Sequence, residues 1–257
     1  MSKHQPARPY RIYPAYYFRA SPTYDAWVKI TAADVQSLRS ESGFTGQHIY
    51  FYLNHPIRFV RLVGVIVAID DINASYTVLT IDDGSGATIE LKIVRILPVE
   101  RNPLDSSSAT TIDNVNIISR LGVFEVLVND HILDIGTVIK AKGTLSEFRG
   151  IKQVDLKRAW VVSSTDEEAR AWTETALFKQ KVLSEPWHLS SAQRKEVKIQ
   201  MKKEKKKEQE YVRRKAEYQA KKIEQREAKE LYMIQKEARD EVKRRKEEVM
   251  MNSGALI

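Results

Sequence analysis

Three observations predict a mainly β fold with helices. β-Branched runs of strand length recur between residues 57 and 164. A mixed, Pro- and Ser-bearing stretch separates the third run from the fourth. From Ala192 onward the chain turns almost wholly to Lys, Glu, Gln and Arg. Period-two runs bounded by Gly, Asp and Ser read as strands, and a long charged stretch without Pro or Gly reads as a solvated helix.

Residues 1–24 are rich in Tyr, Pro and Arg without a period and are expected to form an extended arm. In KITAADVQSLRS, Thr31 followed three residues later by Asp34 marks a helix start, with Val35 and Leu38 as its short apolar face. IRFVRLVGVIVAID (57–70) is too long and too β-branched for anything but a strand, and Gly64 in its middle predicts a bend or bulge. SYTVLTID (75–82) and ATIELKIVR (87–95) alternate, and DDGSG (82–86) joins them as a tight turn. Pro98, Pro103 and DSSSATT predict a surface loop, and VNIISRLGVFEVLVNDH is expected to be a helix followed by a loop. TVIKAKGTLSEF (137–148) and IKQVDLKRAWVVSS (151–164) form a hairpin through Arg149-Gly150.

Three strands in a meander, a helical segment and a hairpin give the order of the OB-fold, a partly open five-stranded Greek-key barrel that binds oligonucleotides. STDEEARAWTETALFKQKVL (164–183) opens with Ser and acids, as a helix N-terminus should. The expected organisation is an N-terminal arm and short helix (1–47), the barrel (48–164), a post-barrel packing helix (165–190) and a charged helical tail (191–257). In the tail, Glu210–Arg214, Glu217–Lys221 and Asp240–Arg244 are spaced for helix-surface ion pairs. Leu231, Ile234, Ala238 and Val242 make a short coiled-coil seam.

Charge placement narrows the function. The chain carries a net +8, and residues 192–250 hold 21 basic against 13 acidic residues, whereas residues 1–191 hold 21 of each. Nucleic-acid binding by the folded part must therefore come from local placement of charge, not from a general basic field. The tail reads equally as a nucleic-acid arm, a nuclear import signal or a helical spacer. With no cysteine there is neither a disulfide framework nor a thiolate metal site. No apolar run approaches the length of a membrane span, and no apolar stretch marks a secretory signal. There is no P-loop and no catalytic carboxylate pair on one face, because Asp82 and Asp83 are strand neighbours that point to opposite sides. We expect no enzyme, no catalytic residue, no metal and no cofactor. His55, ahead of Pro56, is expected to hydrogen-bond locally at the strand entry.

Parity assigns the outer surface. Thr77, Leu79 and Ile81 read inward and leave Tyr76, Val78 and Thr80 outside, while Ile89, Leu91 and Ile93 read inward and leave Thr88, Glu90 and Lys92 outside. Ile139 and Ala141 go in while Lys140 and Lys142 go out. Val154 and Leu156 go in while Gln153, Asp155 and Lys157 go out. OB-folds bind single strands across strands two and three and in flanking loops. Phe148 beside Arg149, in the loop joining strands four and five, suits base stacking plus a phosphate contact. The expected DNA-contacting residues are Tyr76, Asp83, Lys92, Lys140, Lys142, Phe148, Arg149 and Lys157. The face is sparse in aromatics, so weak intrinsic affinity is expected. On the post-barrel helix, Ala169, Trp172, Ala176 and Leu177 make an apolar face, which either packs on the chain's own barrel or anchors a partner.

Asn54, His55, Pro56 and Ile57, then Leu62, Val63, Gly64 and Val65, then Asp82, Asp83, Gly84, Ser85 and Gly86 carry a family resemblance. Over residues 10–185 the chain resembles the Stn-type subunit of the telomere-capping CST complex, itself similar to the middle subunit of replication protein A. SPTYDAW…ADV looks like the fungal branch. The resemblance implies a nuclear, telomeric subunit that pairs with a small OB-fold partner of the Ten type through the post-barrel helix and joins a larger telomeric DNA-binding subunit. It implies contact with single-stranded G-rich DNA, with an Asp of the 82–86 turn near it, and C-strand fill-in through DNA polymerase alpha-primase. The winged-helix modules of some members cannot be built from residues 192–257, so functions resting on them are not carried over. The alternative within this class is a replication-protein-A-like middle subunit, for which a Ser/Gly-rich arm and a C-terminal winged helix would be expected.

Overall fold

The computed structural model describes residues 10–96, 110–120 and 123–254, which fall into two compact units, 1–194 and 195–257. The first nine residues of the expected arm, and the expected loop around Pro98 and Pro103, lie outside the described residues.

The first unit is built on five strands: β4 (Phe59–Asn73), β5 (Tyr76–Asp82), β6 (Thr88–Val94), β10 (Val138–Phe148) and β11 (Ile151–Val161). β4 pairs with both β5 and β10, β5 with β6, and β10 with β11, all antiparallel. A short parallel pairing of β6 with β11 at Leu91–Val154 and Lys92–Asp155 closes the ring. This is the strand order of an OB-like barrel. β1 (Val28–Lys29) adds a parallel strand outside β4, a pairing that no periodic run in the sequence marks.

Why these strands close is visible at Gly64. β4 pairs with β10 from Phe59 to Val65 and with β5 from Val65 to Asn73, so it changes partner at that point. A Cβ on Gly64 would lie 2.6 Å from the Asp82 carbonyl oxygen, closer than any side chain tolerates. The pairing slips between Ile66 and Ala68, leaving Val67 outside the register, which supplies the bulge expected of so long a strand.

Inside the ring, Leu62, Ile66, Leu79, Ile81, Ile89, Leu91, Ile93, Ile139, Leu145 and Val154 are fully buried. The inward parity read from β5, β6 and β10 holds. On β11, however, Gln153 is buried with Lys152 instead of facing out. Helix α1 (Ala32–Ser37) lies against this strand, and its Gln36 exchanges hydrogen bonds with the Lys152 backbone at 2.9 and 3.2 Å.

Residues 115–133 correct the expected helix and loop. They form a three-stranded antiparallel sheet, β7 (Val115–Arg120), β8 (Val123–Val128) and β9 (His131–Leu133). Val115, Ile117, Val126, Val128 and Leu133 join the barrel core. β-Branched residues at period two and the Asn129-Asp130 turn, both at positive φ (47° and 67°), favour a hairpin over a helix. The arm is not uniformly extended either: Ala15–Ala20 winds into a 3₁₀ turn that buries Phe18 against Phe44 and Phe51.

Two sequence motifs turn out to be fasteners. Thr31 caps α1 by accepting the Asp34 N–H at 3.2 Å, as expected. The turn between β5 and β6 caps the same helix from outside: the Asp83 carboxylate accepts the Ala32 N–H at 2.8 Å and the Ser85 hydroxyl oxygen accepts the Ala33 N–H at 3.0 Å. β2 (Tyr50–Tyr52) and β3 (His55–Ile57) pair as a hairpin whose turn residue Asn54 grips Trp187. The Asn54 amide oxygen accepts the Trp187 N–H at 2.7 Å, and its nitrogen donates to the Trp187 carbonyl at 2.8 Å. Next to it, His55 Nε2 donates to the Glu185 carbonyl at 2.8 Å.

In the second unit, α3 (Ser191–Gly254) continues as one helix, as its composition predicted. Among the described residues its ion pairs include Arg213–Glu217, Arg244–Glu241, Arg244–Glu248 and Arg245–Glu241, a different set from the three expected from spacing. On so evenly mixed a surface many near-equivalent pairings compete, each worth about 0.2–0.5 kcal/mol. Leu231, Ile234 and Val242 of the seam remain exposed.

Gly64→Ala should lower unfolding stability by about 1–3 kcal/mol in urea titration, as overpacking does. Gly43→Ala, where an added Cβ would meet nothing within 4 Å, should stay within about 0.5 kcal/mol of the parent. Burial holds the His55 imidazole below its ordinary pKa. The unfolded chain takes up this proton near about pH 6.5 while the folded chain resists it. The His55 contribution is therefore complete above that pH and declines as pH falls below it. Urea midpoints should drop from about pH 7.5 to pH 5.5 more steeply for the parent than for His55→Gln.

Candidate nucleic-acid and partner interface

The post-barrel helix is α2 (Thr165–Phe178), continued by a π-helical turn, Lys179–Leu183. Ser164 caps it by accepting the Glu167 N–H at 3.2 Å, and Asp166, Glu167 and Glu168 place negative charge in its first turn. Its inner side is held largely by polar contacts. Arg61, buried beneath it, donates to the Ala171 carbonyl at 3.2 Å and to Glu174. Glu174 also meets Lys29 at 2.9 Å. Lys140 meets Glu167 at 2.8 Å, and Lys179 meets Asp34 at 2.8 Å. These partners hold the Glu174 carboxyl below the usual carboxylate range, through Lys29 first and then Arg61. Lys140 does the same for Glu167.

Of the apolar residues, Ala171 and Phe178 turn toward the barrel. Ala169, Trp172, Ala176 and Leu177 are exposed, with Trp172 at 51%. Trp172 thus keeps about half of its surface open to solvent.

The eight expected DNA-contacting residues separate into small groups. Tyr76 and Lys92 meet on the outer side of β5 and β6, with the Lys92 ammonium 4.2 Å from the Tyr76 ring centroid. Phe148, 57% exposed, and Arg149 form the tip of the β10–β11 hairpin, the guanidinium 5.0 Å from the ring. Arg149 and Gly150 take φ of 52° and 83°, the left-handed pair a two-residue hairpin turn requires. Lys140 and Lys142 project from β10, which β11 separates from β6. Lys140 is already engaged by Glu167. Asp83 has both carboxylate oxygens occupied by N–H and O–H donors of α1 and its own turn, so the structure places it as a cap.

Lys157 is exposed, and it falls where the β10–β11 register slips: Lys142 pairs with Arg158 and Gly143 with Leu156. The slip turns Arg158 outward and buries Ala159, the reverse of strict alternation. Arg158 and Trp160 are the residues that parity missed, and the burial preference of Ala159 over Arg158 was the signal that could have found them. Trp27, just before β1, lies on no strand that parity read. Among the described residues no three His, Asp or Glu side chains converge as a metal site would need, and no helix is long and apolar enough to cross a membrane.

The family model described as telomere regulation protein Stn1 matches residues 2–244. The CST complex subunit STN1 of Bos taurus is 26% identical over 183 residues, covering 68% of this chain and 47% of that protein. The match thus spans between 36% and 47% of the length of the curated relatives. Among solved structures, a chain of the S. pombe Stn1–Ten1 complex is 18% identical, with a TM-score of 0.44 over 62% of this chain and 96% of that one. The structure of yeast Stn1 and Ten1 gives 19% identity and a TM-score of 0.48 over 72% of this chain and 89% of the matched one.

If Asp83 caps α1, Asp83→Ala should cost about 0.5–2 kcal/mol of unfolding stability, the usual loss for a removed cap. Asp82→Ala, which frees only the exposed Gly84 N–H, should cost less. Paired thermal melts of the two variants check the order.

Proposed function

The chain belongs to the Stn1 family of telomere regulation proteins, and from that premise we propose that it is a non-enzymatic telomere-capping subunit that pairs with a small OB-fold partner of the Ten type through α2. The observation that carries the reading is the orientation of α2. Its inner side is spent on ion pairs with the barrel while Trp172 stands exposed at the centre of an apolar stripe. An exposed tryptophan flanked by small residues, on a helix already fixed to a rigid barrel, has the form of an interface anchor. In this reading the pair joins a larger DNA-binding subunit at chromosome ends in the nucleus, touches single-stranded G-rich DNA and supports end protection and C-strand fill-in through DNA polymerase alpha-primase. The cation–aromatic pairs Tyr76–Lys92 and Phe148–Arg149 support the DNA contact, since stacking and phosphate neutralisation need no catalytic group.

Trp172→Ala should weaken the heterodimer by about 2 kcal/mol or more, as loss of a hot-spot anchor does. Calorimetric titration of the separately expressed and purified subunits measures this. Wild-type affinity for the variant would exclude α2 as the partner surface.

A further inference from the structure

The strand register lines up four cations in one row. Lys29 on β1 is the register partner of Arg61 on β4, Arg61 of Lys142 on β10, and Lys142 of Arg158 on β11. Neighbouring strands lie about 4.8 Å apart, so the row is roughly 14 Å long. Like charges directly opposite one another destabilise a sheet. Glu174 offsets the first two, Lys29 and Arg61. Lys142 and Arg158 have no carboxylate partner among the described residues. The Lys142 ammonium is held below its ordinary pKa by burial and then by Arg61, Lys140, Arg158 and Lys29.

Aromatic rings flank the unneutralised half of the row. Lys142 Nζ lies 5.3 Å from the Trp160 ring centroid and 5.5 Å from that of Trp27. Arg158 lies 5.8 Å from Trp160. Trp27 is 39% exposed and rests on Phe59, with ring centroids 5.3 Å apart. The β5–β6 face differs, because exposed Glu90 lies between Thr88 and Lys92 on β6.

We propose that the outer face of β10 and β11, with the Trp27 rim beside β1, is a second binding track for single-stranded nucleic acid, with Lys142 and Arg158 on phosphates and Trp160 and Trp27 as stacking platforms. This rests on the reading that the chain contacts single-stranded DNA, and adds a face separate from Tyr76–Lys92. Unpaired cations alone would suit any anion. Partly exposed indoles beside them favour a ligand with flat rings as well as charges.

The test is fluorescence anisotropy of the full chain with labelled oligothymidylate across a salt series. Arg158→Ala and Lys142→Ala should each flatten the line of log affinity against log salt by about 0.7, the single-strand slope per phosphate. Arg158→Lys should restore the slope. Trp160→Ala should weaken binding roughly fivefold or more without changing the slope. Trp27→Ala, on the exposed rim, repeats that arm if Trp160→Ala lowers the melting temperature. Unchanged slopes for the Arg158 and Lys142 variants, with flattening by Lys92→Ala or Arg149→Ala, would overturn the second track and leave the DNA reading standing. No oligothymidylate binding by the parent would overturn both. If the charge variants weaken binding, the indole variants do not, and polyglutamate binds as tightly as oligothymidylate, the row serves an acidic protein segment and the proposal fails.

Discussion

The contact between Gly64 and the Asp82 backbone is the point on which the architecture turns. β4 must serve two neighbours, β10 along its first half and β5 along its second, and the change of partner needs a backbone-to-backbone approach that only a residue without a Cβ permits. The consequences spread in both directions. Before the bend, Arg61 lies in the half of β4 flanked by β1 and β10, which is why it shares a row with Lys29 and Lys142 and supports α2 from beneath. After the bend, β4 runs with β5, and the Asp82–Gly86 turn arrives beside α1 with Asp83 and Ser85 positioned to cap it. Interior packing, helix docking and the grouping of surface cations all inherit their geometry from this one closure.

The motifs that look most like chemistry serve this scaffold. Asn54 satisfies both the N–H and the carbonyl of Trp187, and His55 takes the carbonyl of Glu185, so the segment after α2 is tied to the hairpin that leads into β4. Trp187 also packs edge-on against Tyr13, 4.9 Å between centroids, which brings the arm to the same place. A buried backbone group without a partner costs free energy comparable to a lost hydrogen bond, and a short segment crossing a barrel end has few strand neighbours to supply one. An Asn-His pair before a proline provides three such partners in two residues, with Pro56 keeping His55 extended.

Much of this was legible in the sequence, and the failures have physical causes. The five barrel strands, the Thr31 cap and the inward residues of β5, β6 and β10 followed from period two and from capping chemistry, both local properties. Residues 115–133 failed because apolar positions close together in a short segment fit a helix face as well as two strand faces. Tertiary burial of Val115, Ile117, Val126 and Val128 decided between them. The cation row failed for a different reason. A one-residue slip at Lys157 changes the side of every residue after it, and register is a property of the pair of strands, not of either one. Lys140 and Lys142 were correctly read as outward, yet α2 covers the first with Glu167, a neighbour 27 positions away in the chain.

The docking of α2 has an unusual polarity. A helix on a barrel ordinarily turns its apolar stripe inward. Here the inner side carries Glu167 and Glu174 against Lys29, Arg61 and Lys140, and the stripe of Ala169, Trp172 and Ala176 faces out. Ion pairs with one partner largely exposed contribute little each, about 0–1 kcal/mol, whereas full burial of one large apolar side chain contributes about 1.5–3 kcal/mol. The pairs therefore specify the angle and register of the helix more than they stabilise it, and Arg61, with Nε buried and unpartnered, adds to the cost of this arrangement. Apolar anchoring comes at the C-terminal end instead, where Phe178, Val182 and Leu183 pack on the barrel core. Orientation is thus fixed by charge along the helix and by burial at its end, while Trp172 stays half exposed.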